Sequence, residues 1–376
     1  MNKTIISGCG MTTSLGSYKT ACAAARAGIS RAQKLSVSFN DIDVDEGISI
    51  IGNPVWNTAG YRGFGRLVRL GVGALNDLNE NLAIPDSYSL DNTGLIINLS
   101  NNYFEKQLEA DLFNTGQAEP AVEMIPNTES TVLKRDYFFN KLIPRLLDLA
   151  DIQMNIVHSE VLFKNEAGII DSIQKAIEMI KDNKIRRCIV GGIDSLVDEN
   201  TIKCLSRLNF LNKSCQEIIP GEGACFLLVE SESALEERNG MKLASIGALS
   251  YAEEPYHMLF EAPLKGKALA QAIQNTLRQL ENGGKEIGLI VGSFNGTKYS
   301  STEWGNCLIN VPQYLHELPS WFPTEFFGDT GAAVGFISAC LVCRGFARNY
   351  IRSKDTLVWA SSPEGRKCSM IIRSSY

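Results

Sequence analysis

Cysteine offers the most reactive side-chain nucleophile, and this chain has ten, at positions 9, 22, 188, 204, 215, 225, 307, 340, 343 and 368. Their spacing follows no pattern. Many fall inside apolar runs such as CIVGG, ACFLLVE and SACLVC, where a free thiol behaves as a small hydrophobe. The C-x-x-C pair, Cys340 with Cys343, stands in an apolar helical stretch with no second pair or histidine beside it. That context argues against zinc or thiol redox chemistry. The three histidines, His158, His257 and His316, lack metal-ligand spacing. His158 and His257 have no visible partner and read as structural. Glu222, inside PGEGA, reads as a brace for its turn rather than an acid catalyst. Arg62, Arg66 and Arg69 are four and three residues apart and share a helix face. They read as a solvated face, with docking of an acidic partner as the alternative. Lys184, Arg186 and Arg187 follow a helix and suit its negative pole.

The elements that must position these groups can be read from periodicity. Residues 3–8 form a strand into a Gly turn, and 17–28 an Ala-rich helix ended by Gly28. Residues 65–83 and 137–150 have helical spacing. TGLIINLS (93–100) is a continuous apolar strand, as expected of a sheet covered on both faces. Residues 101–130 are irregular and read as a surface loop or cap. Residues 167–184 form a helix with Lys in its last turns, followed by the buried strands RRCIVGGIDS and GACFLLVES (223–231).

The second half repeats this rhythm. Strand 242–253 and helix 265–281 are followed by the strand and turn 287–297. Then come the all-apolar helix 331–347 and the paired strands 356–362 and 367–374. A helix apolar all round must be buried, so 331–347 belongs at the centre. The repetition points to two similar sheets stacked around shared central helices, an α/β architecture with halves 1–240 and 241–376 fused as one unit. An open doubly wound sheet with an unrelated second domain is the alternative.

The bulk composition fits this reading. With 376 residues, 44% hydrophobic and 21% charged, the chain is a folded globular protein of two units or one large fused unit. A net charge of −6 argues against non-specific nucleic-acid binding, which needs Lys and Arg against phosphate. The N-terminal apolar stretch is broken at once by Gly8 and Gly10, unlike a secretory signal, and no run approaches a membrane span. A cytoplasmic protein without membrane insertion is expected.

Five stretches resemble the β-ketoacyl synthase family. The opening IISGCGMTTSLGSYKTACAAARAGIS is similar to the family's first strand, Gly-x-Gly turn and helix. VGGIDSLVDENTIKCLSRLNFLN resembles the strand and helix after the nucleophile helix. IIPGEGACFLLVES resembles the Gly-Glu-Gly-Ala turn into a strand. NGT (295–297) and FGDTGAA (327–333) fall where the family has its two histidine motifs. The ordered set runs from residue 3 to about 335. The resemblance implies a duplicated five-layer αβαβα thiolase fold, which agrees with the repeat.

In that family a cysteine at a helix N-terminus attacks an acyl thioester. The helix end lowers the thiol pKa, and backbone amides hold the oxyanion. Two histidines, or a histidine and an asparagine, stabilise the carbanion left when a malonyl group loses carbon dioxide. Here the nucleophile position falls at or next to Glu166, and the histidine positions at Asn295 and Asp329. Ser159 and Ser172 do not suit as substitutes: one precedes the helix by about two turns and the other lies inside it.

A triad of Glu, Asn and Asp has two readings. Glu166 can cap a helix N-terminus while Asn295 and Asp329 stabilise turns. Or Glu166 and Asp329, meeting in one pocket, can act as a general acid or base. The family resemblance is to chain-length factors of type II polyketide and aryl-polyene systems. It implies a non-condensing subunit without cofactor or metal, paired with an active ketosynthase or with itself and serving an acyl carrier protein, the acidic partner Arg62, Arg66 and Arg69 would dock. An acyl-thioester enzyme of altered chemistry (decarboxylase, hydrolase or acyltransferase) is the alternative, and a small-molecule-binding protein is a third.

Overall fold

The computed structural model describes residues 4–35, 50–82, 90, 92–114, 128–211, 217–255, 258–259 and 265–375. Cys215, His257 and residues 115–127 lie outside the described residues. The strands, in chain order, are β1 (Thr4–Thr13), β2 (Gln33–Lys34), β3 (Ile51–Gly52), β4 (Thr93–Leu99), β5 (Ser159–Phe163), β6 (Arg187–Ser195), β7 (Glu222–Ser231), β8 (Ala244–Glu253), β9 (Ile287–Gly292), β10 (Ser320–Trp321), β11 (Asp355–Ser361) and β12 (Arg366–Ser374). β2 and β3 pair with each other; the others line up as β10-β9-β11-β12-β8-β1-β7-β6-β4-β5.

Outward from the β1/β8 junction, the two flanks follow one pattern. β1 pairs antiparallel with β7 and β7 with β6; β6 then pairs parallel with β4 and β4 with β5. On the other side β8 pairs antiparallel with β12 and β12 with β11; β11 pairs parallel with β9 and β9 with β10. The junction itself is short, Thr4–Ile6 against Ala244–Ile246. Parallel neighbours need a crossover helix. One such helix, Gly168–Lys181, runs from β5 to β6, and its counterpart, Val334–Ala347, runs from β10 to β11.

Side-chain alternation separates the layers. In β4, Ile96 points into the central core while Leu95 and Ile97 point to the outer one. The central core joins Ile170 and Ile173 of one crossover helix to Phe336 and Ile337 of the other, between Val190 of β6 and Val358 of β11. Outside one flank pack Leu75 and Leu78 from helix Gly63–Leu82 and Leu142 and Leu146 from helix Thr128–Leu149. Outside the other pack Leu269 and Ile273 from helix Lys267–Arg278 and Cys307 from helix Lys298–Asn310. The layers are helix, sheet, helix, sheet, helix, the duplicated arrangement expected from sequence. Val334–Ala347 is buried along nearly its whole length, as an all-apolar helix must be.

The structure departs from the sequence reading in places. Residues 101–130 contain the helix Tyr103–Asn114. Strand β5 is five residues of mixed polarity, too short to show a period. Helix Lys298–Asn310 (KYSSTEWGNCLIN) lacks an apolar stripe; its start is set by Thr297, whose hydroxyl accepts from Ser300 N at 3.1 Å. Among the described residues no helix is long and apolar enough to cross a membrane.

Candidate functional site

The two central helices begin in matching 3₁₀ turns, Asn165–Ala167 and Gly331–Ala333, which pack against each other. One buried side chain from β4 ties them. Asn98 Nδ2 donates to Asn165 O at 2.7 Å and to Ala332 O at 3.1 Å, and its Oδ1 accepts from Lys164 N at 3.1 Å. Asn165 turns the chain from strand to helix with φ +47°, a left-handed conformation asparagine tolerates. Gly335 allows the close approach: a Cβ there would lie 2.7 Å from Ile169 Cγ2.

Four carboxyls collect at this junction. Asp329 accepts from Asn295 Nδ2 at 2.8 Å and from Gly331 N at 3.0 Å. Asp194, at the end of β6, accepts from Ser195 N at 2.8 Å and Ala332 N at 2.9 Å. Glu364 accepts from Asn165 Nδ2 at 2.6 Å. Glu166 differs: its Oε2 is buried without a hydrogen-bond partner among the described residues. Burial pushes Glu166 well above the usual carboxylate range, and the Asp329 charge pushes it further. Burial also raises Asp329 and Glu364, and takes Asp194 to about 7.

Two cavities open on Glu166. Glu166, Asn295 and Asp329 together line one of ≈ 20 Å³, room for a single water and no more. Glu166 and Asp194 also line a larger one of ≈ 270 Å³, walled by Phe64, Phe104, Phe138 and Phe163. The structure therefore brings the three sequence-derived positions into one place.

Two of the three keep the turn-stabilising roles of the first sequence reading, and Glu166 does not. Asn295 does hold its turn, accepting from Thr297 N and Oγ1, and Asp329 caps the Gly331 amide. Glu166 is not a helix cap. The amide of Ala167 is taken by Ser362 Oγ at 2.8 Å, and the helix has no side-chain cap. Ser172 spends its hydroxyl on Gly168 O, and Ser159 opens β5 at the end away from Glu166.

The other candidates resolve into braces. Glu222 is fully buried and accepts from Val55 N, Thr58 Oγ1, Ser195 Oγ and the Arg66 guanidinium. Arg66 therefore belongs neither to a solvated face nor to a docking surface; its side chain is 13% exposed and lies 2.6 Å from Glu222. Arg62 pairs with Glu199, and Arg69 lies over the Tyr61 ring. Lys184, Arg186 and Arg187 pair with Asp182, Glu237 and Glu230. Cys340 Sγ lies 3.2 Å from Cys225 Sγ, beside Cys9 and Cys343, in the apolar middle of helix Val334–Ala347. Among the described residues no cysteine or histidine lines either cavity.

Three supporting residues went unnoticed in the sequence. Asp194 lies in the VGGIDS stretch, Asn98 in the apolar strand 93–100, and Lys367 in KCSMIIRS. Lys367 is fully buried, 2.9 Å from Glu303, and donates to Tyr299 OH, Ser361 Oγ and Ser362 O beside Glu166's turn. A charge inside an apolar strand was the signal available for Lys367.

No family model and no curated protein sequence matches the chain. Solved structures do. The chain is similar over 99% of its length and 99% of the other's to the complex AntDE:AntF, described as a type II PKS acyl-carrier protein with its ketosynthase bound to the hexaketide (TM-score 0.75, 15% identity). The fold is that of the ketosynthases. The ishigamide ketosynthase/chain length factor aligns over 99% of both chains (TM-score 0.67, 17% identity). A β-ketoacyl synthase from Burkholderia phymatum STM815 aligns over 100% of both (TM-score 0.68, 17% identity).

Proposed function

We propose that the chain is a non-condensing, ketosynthase-like subunit of chain-length-factor type. It pairs with an active β-ketoacyl synthase and serves polyketide or fatty-acid-type synthesis on an acyl carrier protein. One observation carries this: Glu166, read here as standing where a ketosynthase has its nucleophile, is a buried carboxyl that burial and then the Asp329 charge push well above the usual carboxylate range, toward its neutral form. A neutral carboxyl is a poor nucleophile. Asn295 and Asp329, held to each other and to their own turns, supply no imidazole for a carbanion. Similarity to structures described as a ketosynthase/chain length factor and as a ketosynthase with its carrier protein supports the choice of partners. On this reading residues 1–240 and 241–376 are the two repeats of one unit. Its setting is the cytoplasm, where buried thiols stay reduced.

Co-expression with a neighbouring active synthase tests the reading. Co-purification as a stoichiometric complex is expected, with no thioester turnover by this chain alone. A chain that stays monodisperse by itself in the presence of that synthase would overturn it.

A second reading has its own observation: Glu166 and Asp329 face one cavity, and the Asp329 charge adds to burial in raising Glu166, as in a pair of carboxyls set for acid–base work. Turnover of acyl or malonyl thioesters by the purified chain, lost in Glu166→Ala, would establish it.

A further inference from the structure

The ≈ 270 Å³ cavity has the volume of about nine liquid waters. Its walls are apolar, from Phe64, Leu67, Phe104, Phe138, Phe163 and Ile193. The rings form a continuous surface: Phe64 to Phe138 at 6.0 Å between centroids, Phe138 to Phe163 at 5.5 Å. The charged groups on this lining are mostly acidic, Glu105, Glu166, Asp194 and Asp198 against Lys134. One cation already sits on the wall: Lys134 Nζ lies 4.8 Å from the Phe163 centroid and donates to Asn102 Oδ1 at 3.0 Å. Asp194 spends its oxygens on backbone amides, whereas Glu166 Oε2 is buried without a partner among the described residues.

We propose that this cavity binds a small aryl- or alkylamine as its ammonium ion, with the Glu166 carboxylate as counter-ion and the phenylalanine rings as walls. An aromatic cage attracts a cation through its ring faces, and the attraction grows on desolvation. Among the described residues Glu166 Oε2 has no hydrogen-bond partner, and such an ammonium would supply one.

Binding is linked to a proton. In the free chain Asp329, Glu364 and Asp194 oppose ionisation of Glu166. An arriving ammonium keeps its own proton and expels that of Glu166 to solvent. Tyr103, Glu105 and Lys134 are the other titratable groups on this wall, and Asp198 stands at its rim. Affinity therefore rises with pH until the amine itself deprotonates.

Calorimetry on the full chain at pH 7, in two buffers of different ionisation enthalpy, tests this with benzylamine as the probe and benzyl alcohol and acetophenone as neutral controls. Benzylammonium is expected to bind about tenfold more tightly than either control, the scale of a desolvated cation–ring contact, with about one proton released per ligand. Glu166→Gln should erase both the preference and the proton release. Leu67→Trp, which fills the apolar wall without touching the carboxyl, should abolish binding of every probe. The proposal is overturned if no probe binds, if a neutral control binds as well as the amine, or if folded Glu166→Gln keeps the preference. Acetophenone binding best would mean that a protonated Glu166 donates to a carbonyl instead.

Discussion

Asn295 Nδ2 donates to Asp329 Oδ2 at 2.8 Å, joining the turn after β9 to the turn that opens the central helix Val334–Ala347. The asparagine cannot flip, because its oxygen already accepts from Thr297 N and Oγ1. Asn295→Ala removes both connections and leaves buried Asp329 with the Gly331 amide as its remaining donor. Losing a partner of a buried polar group costs about 1–3 kcal/mol. The lost donor favoured the ionised carboxylate, so Asp329 should titrate still higher. The penalty should therefore be larger at neutral pH than at pH 4. Urea denaturation at both values checks this, and an equal loss at both would refute it.

Asp194 gives a second pH signature. Its carboxyl titrates near 7 in the folded chain because it is buried. The folded state thus binds more protons than the unfolded chain between the usual carboxylate range and pH 7, and stability should fall as pH rises through that window. Glu166 and Asp329 act in the same direction. The Asp194 share is at most on the order of 4 kcal/mol. Asp194→Asn removes this share, but its amide nitrogen meets one of the two backbone N–H groups the carboxylate accepts. The variant should be less stable than wild type at pH 4 and regain ground or overtake it at pH 8. Parallel stability curves would rule out a raised Asp194.

What local pattern could and could not show is visible in these residues. The strand TGLIINL and the helix Val334–Ala347 were legible because their burial is total and leaves a continuous apolar run. The repeat of strand and helix was enough for the duplicated fold. Of the two readings of Glu166 the capping one fails: a free amide of its turn, Ala167 N, is met instead by Ser362, far along the chain. Arg66 was misread as solvated for the same reason: its spacing fits a surface stripe, but Glu222 reaches it from β7. Partners distant in sequence decide both cases, and periodicity carries no information about them.

The Lys367–Glu303 pair should behave as a buried ion pair. Both side chains are at most 1% exposed, and the lysine also holds the Ser361–Ser362 turn that caps Ala167. Lys367→Met leaves Glu303 charged and unpaired, which costs about 3–5 kcal/mol. Adding Glu303→Leu removes the stranded charge and should recover part of that loss. Chemical denaturation of the single and double variants measures the recovery. A double variant weaker than the sum of the two single changes would show that the pair does not act as a unit.

Replacing Glu166 with cysteine asks whether the fold alone can make a ketosynthase thiol reactive. A helix N-terminus lowers a thiol pKa, which favours the thiolate. At this position the effect meets two opposing ones. Burial disfavours the charged form, and Asp329, Glu364 and Asp194 place negative charge nearby. Asn295 and Asp329 offer no imidazolium to offset them. The Glu166→Cys thiol should therefore react with iodoacetamide more slowly at pH 7 than a free cysteine, by about tenfold or more, and should not condense malonyl thioesters. The nine native cysteines among the described residues are buried, and a Cys215→Ser background removes the tenth from the measurement. Fast alkylation at neutral pH, with an apparent pKa below that of free cysteine, would mean that the helix dipole outweighs the carboxyls and that the missing thiol alone keeps the site silent.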